Sequence, residues 1–412
     1  MQAMHDMLAA PHPSASRRQA TAILAALHAA SPSTQDMLLR LPRELHADAV
    51  AQLQLPTRLA RLSLARAESP RKRNQLADAS DILATICSVE DNPPSSLRLS
   101  DGRWQLHPAV RSRVHDVLQG LTSVQTLDLA VDLRDAALPT SVNVLNALLS
   151  SGLPLLSSLD LRRCIFDTME HTRLSTLLQA CVVLQVLRLP AAAIAALHCM
   201  PQALRGLKFL RTIVVEAKHS NLNCMACQNL PESIEEVTLS CSASDVSADT
   251  VCDAQAVVRN LSRRRRLRAL SLSNMLFAPL QRGTQERQQS AWPFSNLRRL
   301  SVSSPAGSSH SLPPAALAAL LTGSTSLHEL SLSNHDFQEG AQLANVVDKP
   351  LLQSLTLQCC KLQHVPAGSW EQLGRLQQLH TLDLRHNALK AKQKCEVARA
   401  AGRLPLLDTL EL

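Results

Sequence analysis

The chain has 412 residues, is 45% hydrophobic and 18% charged, and contains three tryptophans, five phenylalanines and no tyrosine. The aliphatic content excludes wholesale disorder, and no apolar run approaches the length of about 18 residues that a membrane-spanning helix needs. The scarcity of rings argues against a stacking platform for single-stranded nucleic acid, and a lead of 42 Lys and Arg over 34 Asp and Glu, net +8, permits an acidic partner without requiring one.

The N-terminus is rich in Ala and Ser, carries Arg17 and Arg18, and has Asp6 as its only acid before Asp36. Those are features of a mitochondrial targeting segment, and the simpler reading is an ordinary helix over 16–30 stopped by Ser31-Pro32. No basic region precedes an apolar stretch as in a secretory signal, so the eleven cysteines read as intracellular thiols. The expected compartment is the cytoplasm ahead of the mitochondrion or nucleus.

Residues 1–93 are Ala/Leu-rich and read as a small all-α module. Within 38–68 the chain carries Leu41, Pro42, Glu44 and Leu45, then Val50, Leu53, Leu59, Leu62 and Leu64. This segment resembles an F-box. The resemblance implies that Leu41, Pro42, Leu45, Val50 and Leu53 dock on the adaptor of a cullin-based ubiquitin ligase. The usual distal Val-Cys-Arg and Trp are absent, and the basic run from Ser69 to Arg73 follows instead. A helical cap over the first strand is the competing reading.

From Val124 onward one pattern recurs: aliphatic, two residues, aliphatic, one residue, aliphatic. It runs from VQTLDL at Val124, through LSSLDL at Leu156 and LRALSL at Leu267, to LDTLEL at Leu407. The middle aliphatic falls at 127, 159, 187, 213, 237, 270, 300, 330, 355, 382 and 410. Ten intervals span residues 127 to 410, about 28 residues each, a period of repeat architectures. Leu97 and Leu99 form a candidate earlier copy. Alternate strand side chains face opposite ways, so the last two aliphatics point inward and the residue between them outward. Between the strands, RLSTLLQAC, AQAVVRNL, PAALAALLTG, VNVLNALLSSG and EQLGRLQQL have helical spacing. The segment from Leu276 to Phe294 lacks it and reads as a loop. One unit cannot bury its own apolar face, so neighbours must stack.

These copies resemble the leucine-rich-repeat family, particularly its long, helix-containing, ribonuclease-inhibitor-like type. The resemblance implies an α/β solenoid of about eleven or twelve repeats over 94–412, a parallel sheet inside and helices outside. The consensus places Asn or Cys three residues after the last aliphatic; Cys164, Cys360 and Asn387 match it, whereas Asp132, Ala192, Lys218, Ser242, Met275, Pro305 and His335 depart. Less regular turns are expected at those seven.

Chemical candidates are few. His219, Cys224, Cys227 and Cys241 hold one CxxC and two further donors, half of a zinc motif; the competing reading is thiols filling small buried sites. No nucleophile elbow, phosphate-binding loop or HExxH occurs, and Cys360 is expected inside with Cys359 outside. The expectation is a non-enzyme without a cofactor. Arg263 to Arg266, with Arg268, reads as an anionic-partner patch or a solvated corner.

The outward central row reads Asp128, Asp160, Arg188, Val214, Thr238, Ser271, Ser301, Ser331, Thr356, Asp383 and Glu411. Interface energy concentrates in large side chains, so Arg162, Arg163, Glu216, Arg385 and His386 are the contact candidates. The expected function is a protein–protein interaction scaffold that binds protein on its concave face and takes no sequence-specific nucleic acid. The F-box resemblance adds a ligase receptor as its concrete version. A structural or assembly subunit of a large complex, in the mitochondrion if the N-terminus targets it there, is the alternative.

Overall fold

A computed structural model describes residues 36–41, 61–66, 96–104, 124–131, 153–162, 164, 170–190, 201–217, 227, 229–241, 254–274, 294–305, 313–335, 337, 341–366 and 368–412. The chain forms two compact units, Met1–Leu210 and Arg211–Leu412. The first contains β1 (Asp36–Leu41), β2 (Arg61–Arg66), β3 (Ser96–Trp104), β4 (Thr126–Val131), β5 (Ser158–Asp160) and β6 (Val186–Pro190). These pair in chain order, every pair parallel. The second contains β7 (Thr212–Ala217), β8 (Glu236–Cys241), β9 (Ala269–Ser273), β10 (Arg299–Ser303), β11 (Glu329–Ser333), β12 (Ser354–Gln358), β13 (Thr381–Asp383) and β14 (Thr409–Glu411). They too pair consecutively and in parallel.

Parallel neighbours need a crossover each. Here the crossovers hold short helices: α1 (Glu170–Ala180) and α2 (Pro201–Arg205) in the first unit, α3 (Ala254–Ser262), α4 (Pro314–Gly323), α5 (Ala341–Val347) and α6 (Ala391–Ala401) in the second. Identical positions of successive copies lie side by side. Leu270, Leu300, Leu330, Leu355 and Leu382 form one column in register, each at most 1% exposed. A buried leucine contributes about 2 kcal/mol, and here each stacks on its own counterpart. The fold is a leucine-rich-repeat solenoid.

Strands β1 and β2 lie inside 1–93, where helix is expected. Backbone register sets Met37 beside Leu62, Leu62 beside Leu97 and Leu97 beside Leu127. The physical reason is visible in Leu59, Leu62 and Leu64, which carry the spacing of the later copies; a sheet edge rewards that alternation, a helix does not. The ladder therefore starts upstream of residue 94. The remaining positions of 1–93 lie outside the described residues, and so do VNVLNALLSS and the expected loop up to residue 293.

Three of the expected helices are present as α1, α3 and α4. EQLGRLQQL differs: Ser369–Arg375 is a 3-10 helix. Trp370, Leu373 and Leu376 recur every three residues and are fully buried, which matches three residues per turn. Gly368 precedes them at φ 90°, a conformation that favours glycine. Helix α6 buries Gln393, Val397, Ala400 and Ala401. The Gln393 amide donates to the carbonyls of Gln363 (3.1 Å) and Val365 (3.3 Å) and its oxygen accepts from Lys390 N–H (3.0 Å), tying the helix to the preceding repeat.

Behind the strands runs a second ladder. Asn387 is 2% exposed; its amide donates to the carbonyls of Leu357 (2.5 Å) and Leu384 (2.6 Å), and its oxygen accepts the N–H of Cys360 (2.6 Å). The Cys360 thiol does the same one repeat earlier, donating to Leu332 at 3.4 Å. His335 takes the next place, 3% exposed, with neither ring nitrogen in a well-formed hydrogen bond. Its counterpart donor would be residue 305, which is proline and has no N–H, so the slot has nothing to offer an asparagine oxygen. The residues just before the ladder, Asn274, Asn334, Cys359 and His386, sit at φ 52–63°, and asparagine tolerates that left-handed turn best. Among the described residues no helix is long and apolar enough to cross a membrane.

Candidate interaction surface

In the second unit, the outward side chains of the sheet form three rows. The middle row is half-buried Thr238, Ser271, Ser301, Ser331 and Thr356, adjacent in register. The row before it runs Glu236, Ala269, Arg299, Glu329 and Ser354. Arg299 pairs with Glu236 two strands away. That reach requires the small side chain of Ala269 between them, since two strand spacings are about 9.6 Å. Together these rows floor a cavity of about 310 Å³. Its walls are hydroxyls with Glu236, Arg299 and Glu329 at one side, a surface able to hydrogen-bond an extended chain.

Within the second unit, the expected contact residues Glu216 and Arg385 stand on well-separated strands. Arg162, in the first unit, turns back on Asp160, donating Nη2–H to Oδ2 at 2.8 Å and its backbone N–H to Oδ1 at 3.1 Å. Arg385, in the second, does the same with Asp383 at 2.8 Å and 3.0 Å. Both follow from LDLR, where Asp and Arg two apart point to the same face. Arg385 also reaches Glu411 through Nε at 2.8 Å, and Gln358 donates to Asp383 at 2.8 Å. The Arg385 guanidinium and the Gln358 amide hold the Asp383 carboxyl at about 2, below the ordinary 3.8. His386 is exposed beside Arg385. Glu216 is half-buried in β7, six strands from β13 and so about 29 Å along the sheet. Arg163 lies outside the described residues.

Of the zinc candidates, Cys227 is buried and Cys241 ends β8, its thiol raised by burial. His219 and Cys224 lie outside the described residues, and among those described no group of three His, Cys, Asp or Glu comes together for a metal. Cys360 is inside and Cys359 exposed, as expected, and burial pushes the Cys360 thiol up to about 12. Of the residues that the F-box resemblance assigns to adaptor docking, Leu41 closes β1; Pro42, Leu45, Val50 and Leu53 lie outside the described residues.

Sequence reasoning missed a second cavity, of about 450 Å³, at the edge where the chain enters the strands. Arg265, Arg266, Arg268, Arg298 and His328 border it with Glu235, Asn296, Ser326 and Leu351. The arginine run was visible, but Arg298 and His328 belong to later repeats and join it only through stacking.

No protein-family model and no curated protein matches the chain. Among solved structures it is similar to TLR13 in a TLR13–ssRNA13 complex, at 16% identity and a TM-score of 0.45, over 87% of this chain and 54% of that one. It is also similar to the leucine-rich repeat-containing protein LegL7 from Legionella pneumophila, at 16% identity and a TM-score of 0.40, over 75% and 89% of the two chains. The chain spans about half the length of TLR13. These likenesses are distant, and the fold rests on the strand register.

Proposed function

We propose that the protein is a protein–protein interaction scaffold, whose partner lies across the open face of the second unit. The supporting observation is the row Thr238, Ser271, Ser301, Ser331 and Thr356: five hydroxyls in register, half-buried, flooring a cavity. The core lies on the other face of the sheet, packed with leucine, and this polar row presents donors and acceptors at a fixed spacing of about 4.8 Å. The described strands of this face carry no tyrosine or tryptophan, so binding there draws on charge and shape. The test is affinity purification of the full chain from cells beside Ser301→Arg and Ser331→Arg, which fill the cavity. Loss of specific partners with an unchanged melting temperature supports the reading; an identical partner set overturns it.

The ligase-receptor version rests on the F-box-like residues Leu41, Pro42, Leu45, Val50 and Leu53. Because β1 and β2 occupy the two ends of that segment as strands, its helical docking form would have to replace them. Binding of the full chain to a purified cullin adaptor, lost on Leu45→Asp and Leu53→Asp, is the result this version needs. The assembly-subunit alternative predicts instead a stable complex of fixed stoichiometry on native sizing.

A further inference from the structure

We propose that the edge cavity bordered by Arg265, Arg266, Arg268 and Arg298 binds a phosphoryl group carried by a protein segment that lies on the open face. This rests on the interaction-scaffold reading and names the chemistry its partner brings. Stacking builds the site. The residues that precede successive strands are joined by backbone hydrogen bonds, Arg268 N–H to Glu235 C=O at 2.7 Å, Arg298 to Arg268 at 2.8 Å and His328 to Arg298 at 2.8 Å. Two arginines and a histidine therefore stand about 4.8 Å apart along one edge. A second row, two residues earlier in each copy, brings Arg266, Asn296, Ser326 and Leu351 to the opposite wall.

The charges are poorly answered from within. Arg268 reaches Glu235 at 3.5 Å while 58% exposed. Arg265, Arg266 and Arg298 make no ion pair with any described residue. Four guanidinium groups around one carboxylate leave an excess of three positive charges; a carboxylate ligand answers one of them, a phosphoryl dianion with three acceptor oxygens answers two. All four cations are arginine, whose planar fork matches phosphate oxygens in pairs. The other polar side chains are held in place: Asn296 Nδ2 donates to the Arg265 carbonyl at 2.7 Å, and His328 Nδ1 to the Ser326 carbonyl at 2.6 Å, which leaves Nε2 as the imidazole's remaining polar atom.

Two observations favour a phosphorylated protein over a nucleic acid. Among the described residues no ring but that of His328 borders the cavity, whereas strand binding relies on aromatic stacking. Leu351, 44% exposed, offers a neighbouring side chain an apolar contact. The edge cavity also adjoins the hydroxyl-floored one, because residues 268 and 269, 298 and 299, and 328 and 329 divide between them. A peptide can place its phosphate at the edge and its backbone along the serine row.

The full chain is incubated with a peptide library carrying one fixed phosphoserine, with the same library unphosphorylated, and with single-stranded oligothymidylate. The phosphorylated library is expected to be retained, its enriched peptide displaced by phenyl phosphate, and its binding about tenfold weaker for each guanidinium contact removed in R298E or R265E. The milder R298Q and an unchanged melting temperature separate lost binding from lost folding. Equal retention of the two libraries, no retention of either, oligothymidylate binding as tight as the peptide, or arginine variants that bind normally would each overturn the proposal. An enriched unphosphorylated peptide that S301R abolishes would leave the scaffold reading standing while removing the phosphoryl site.

Discussion

His335 carries a large and checkable perturbation. It occupies the slot that Cys360 and Asn387 fill in the next two repeats, but neither ring nitrogen makes a well-formed hydrogen bond. Burial lowers its pKa from 6.5 to about 4, and the nearby Val302 carbonyl offsets only part of that. For a base held below its unfolded value, the unfolded chain takes up the proton first as the solution is acidified. Stability from this site is therefore complete above about 6.5, falls through the window from 6.5 to 4, and levels off below. Between pH 7 and pH 5 the loss is about 2 kcal/mol. His335→Asn removes the ionisable group at similar size. Its amide can donate to Val302, although Pro305 gives its oxygen no N–H, so the change at pH 7 is expected to stay within about 1 kcal/mol. The measurement is urea unfolding of both chains at pH 7 and pH 5, with equal m-values required for comparison. The variant should lose about 2 kcal/mol less on acidification. Equal losses in the two chains would mean that His335 is solvated or paired, and the ladder account would fail.

Three further outcomes follow from the same packing. Asn387→Ala strands the Cys360 N–H and the Leu357 and Leu384 carbonyls, and should cost about 3 kcal/mol in chemical unfolding. Leu330→Ala, in the middle of the leucine column, should cost about 2–5 kcal/mol, most of it in the repeats that touch β11, so hydrogen exchange should rise there before elsewhere. Arg385→Ala removes the largest cause of the depressed Asp383 carboxyl, which should titrate closer to 3.8 by NMR. The variant then lacks the stability that this carboxylate contributes in full above about pH 3.8 in the parent, a contribution lost as the pH falls from there to about 2.

The repeat was legible because its cause is local. Leu270, Leu300 and Leu330 must alternate with exposed residues in any strand buried on one face, so the pattern gave the register that pairs Ser271 with Ser301 and Ser331. The same reasoning, applied more narrowly, overlooked Leu62 and Leu64, whose surroundings are rich enough in Ala and Leu to suggest helix. It also gave EQLGRLQQL, residues 371–379, helical spacing without separating α from 3-10, because Leu373 and Leu376 fit a spacing of three about as well as one of 3.6.

Length, aliphatic excess and the period of about 28 thus fixed the architecture, for one unit has an unsatisfied apolar face and only stacking removes it. Tertiary structure decided what the arginines do. Arg162 and Arg385, chosen from sequence as contact candidates for their large side chains, spend their forks on Asp160 and Asp383. Arg298 and His328, thirty and sixty residues beyond Arg268, are carried to its side by the ladder. Position along the chain predicts a residue's row, because the period is regular. The partners of Arg162 and Arg385 stand two residues away within LDLR, whereas the edge arginines meet neighbours from other repeats, which distance in sequence does not show.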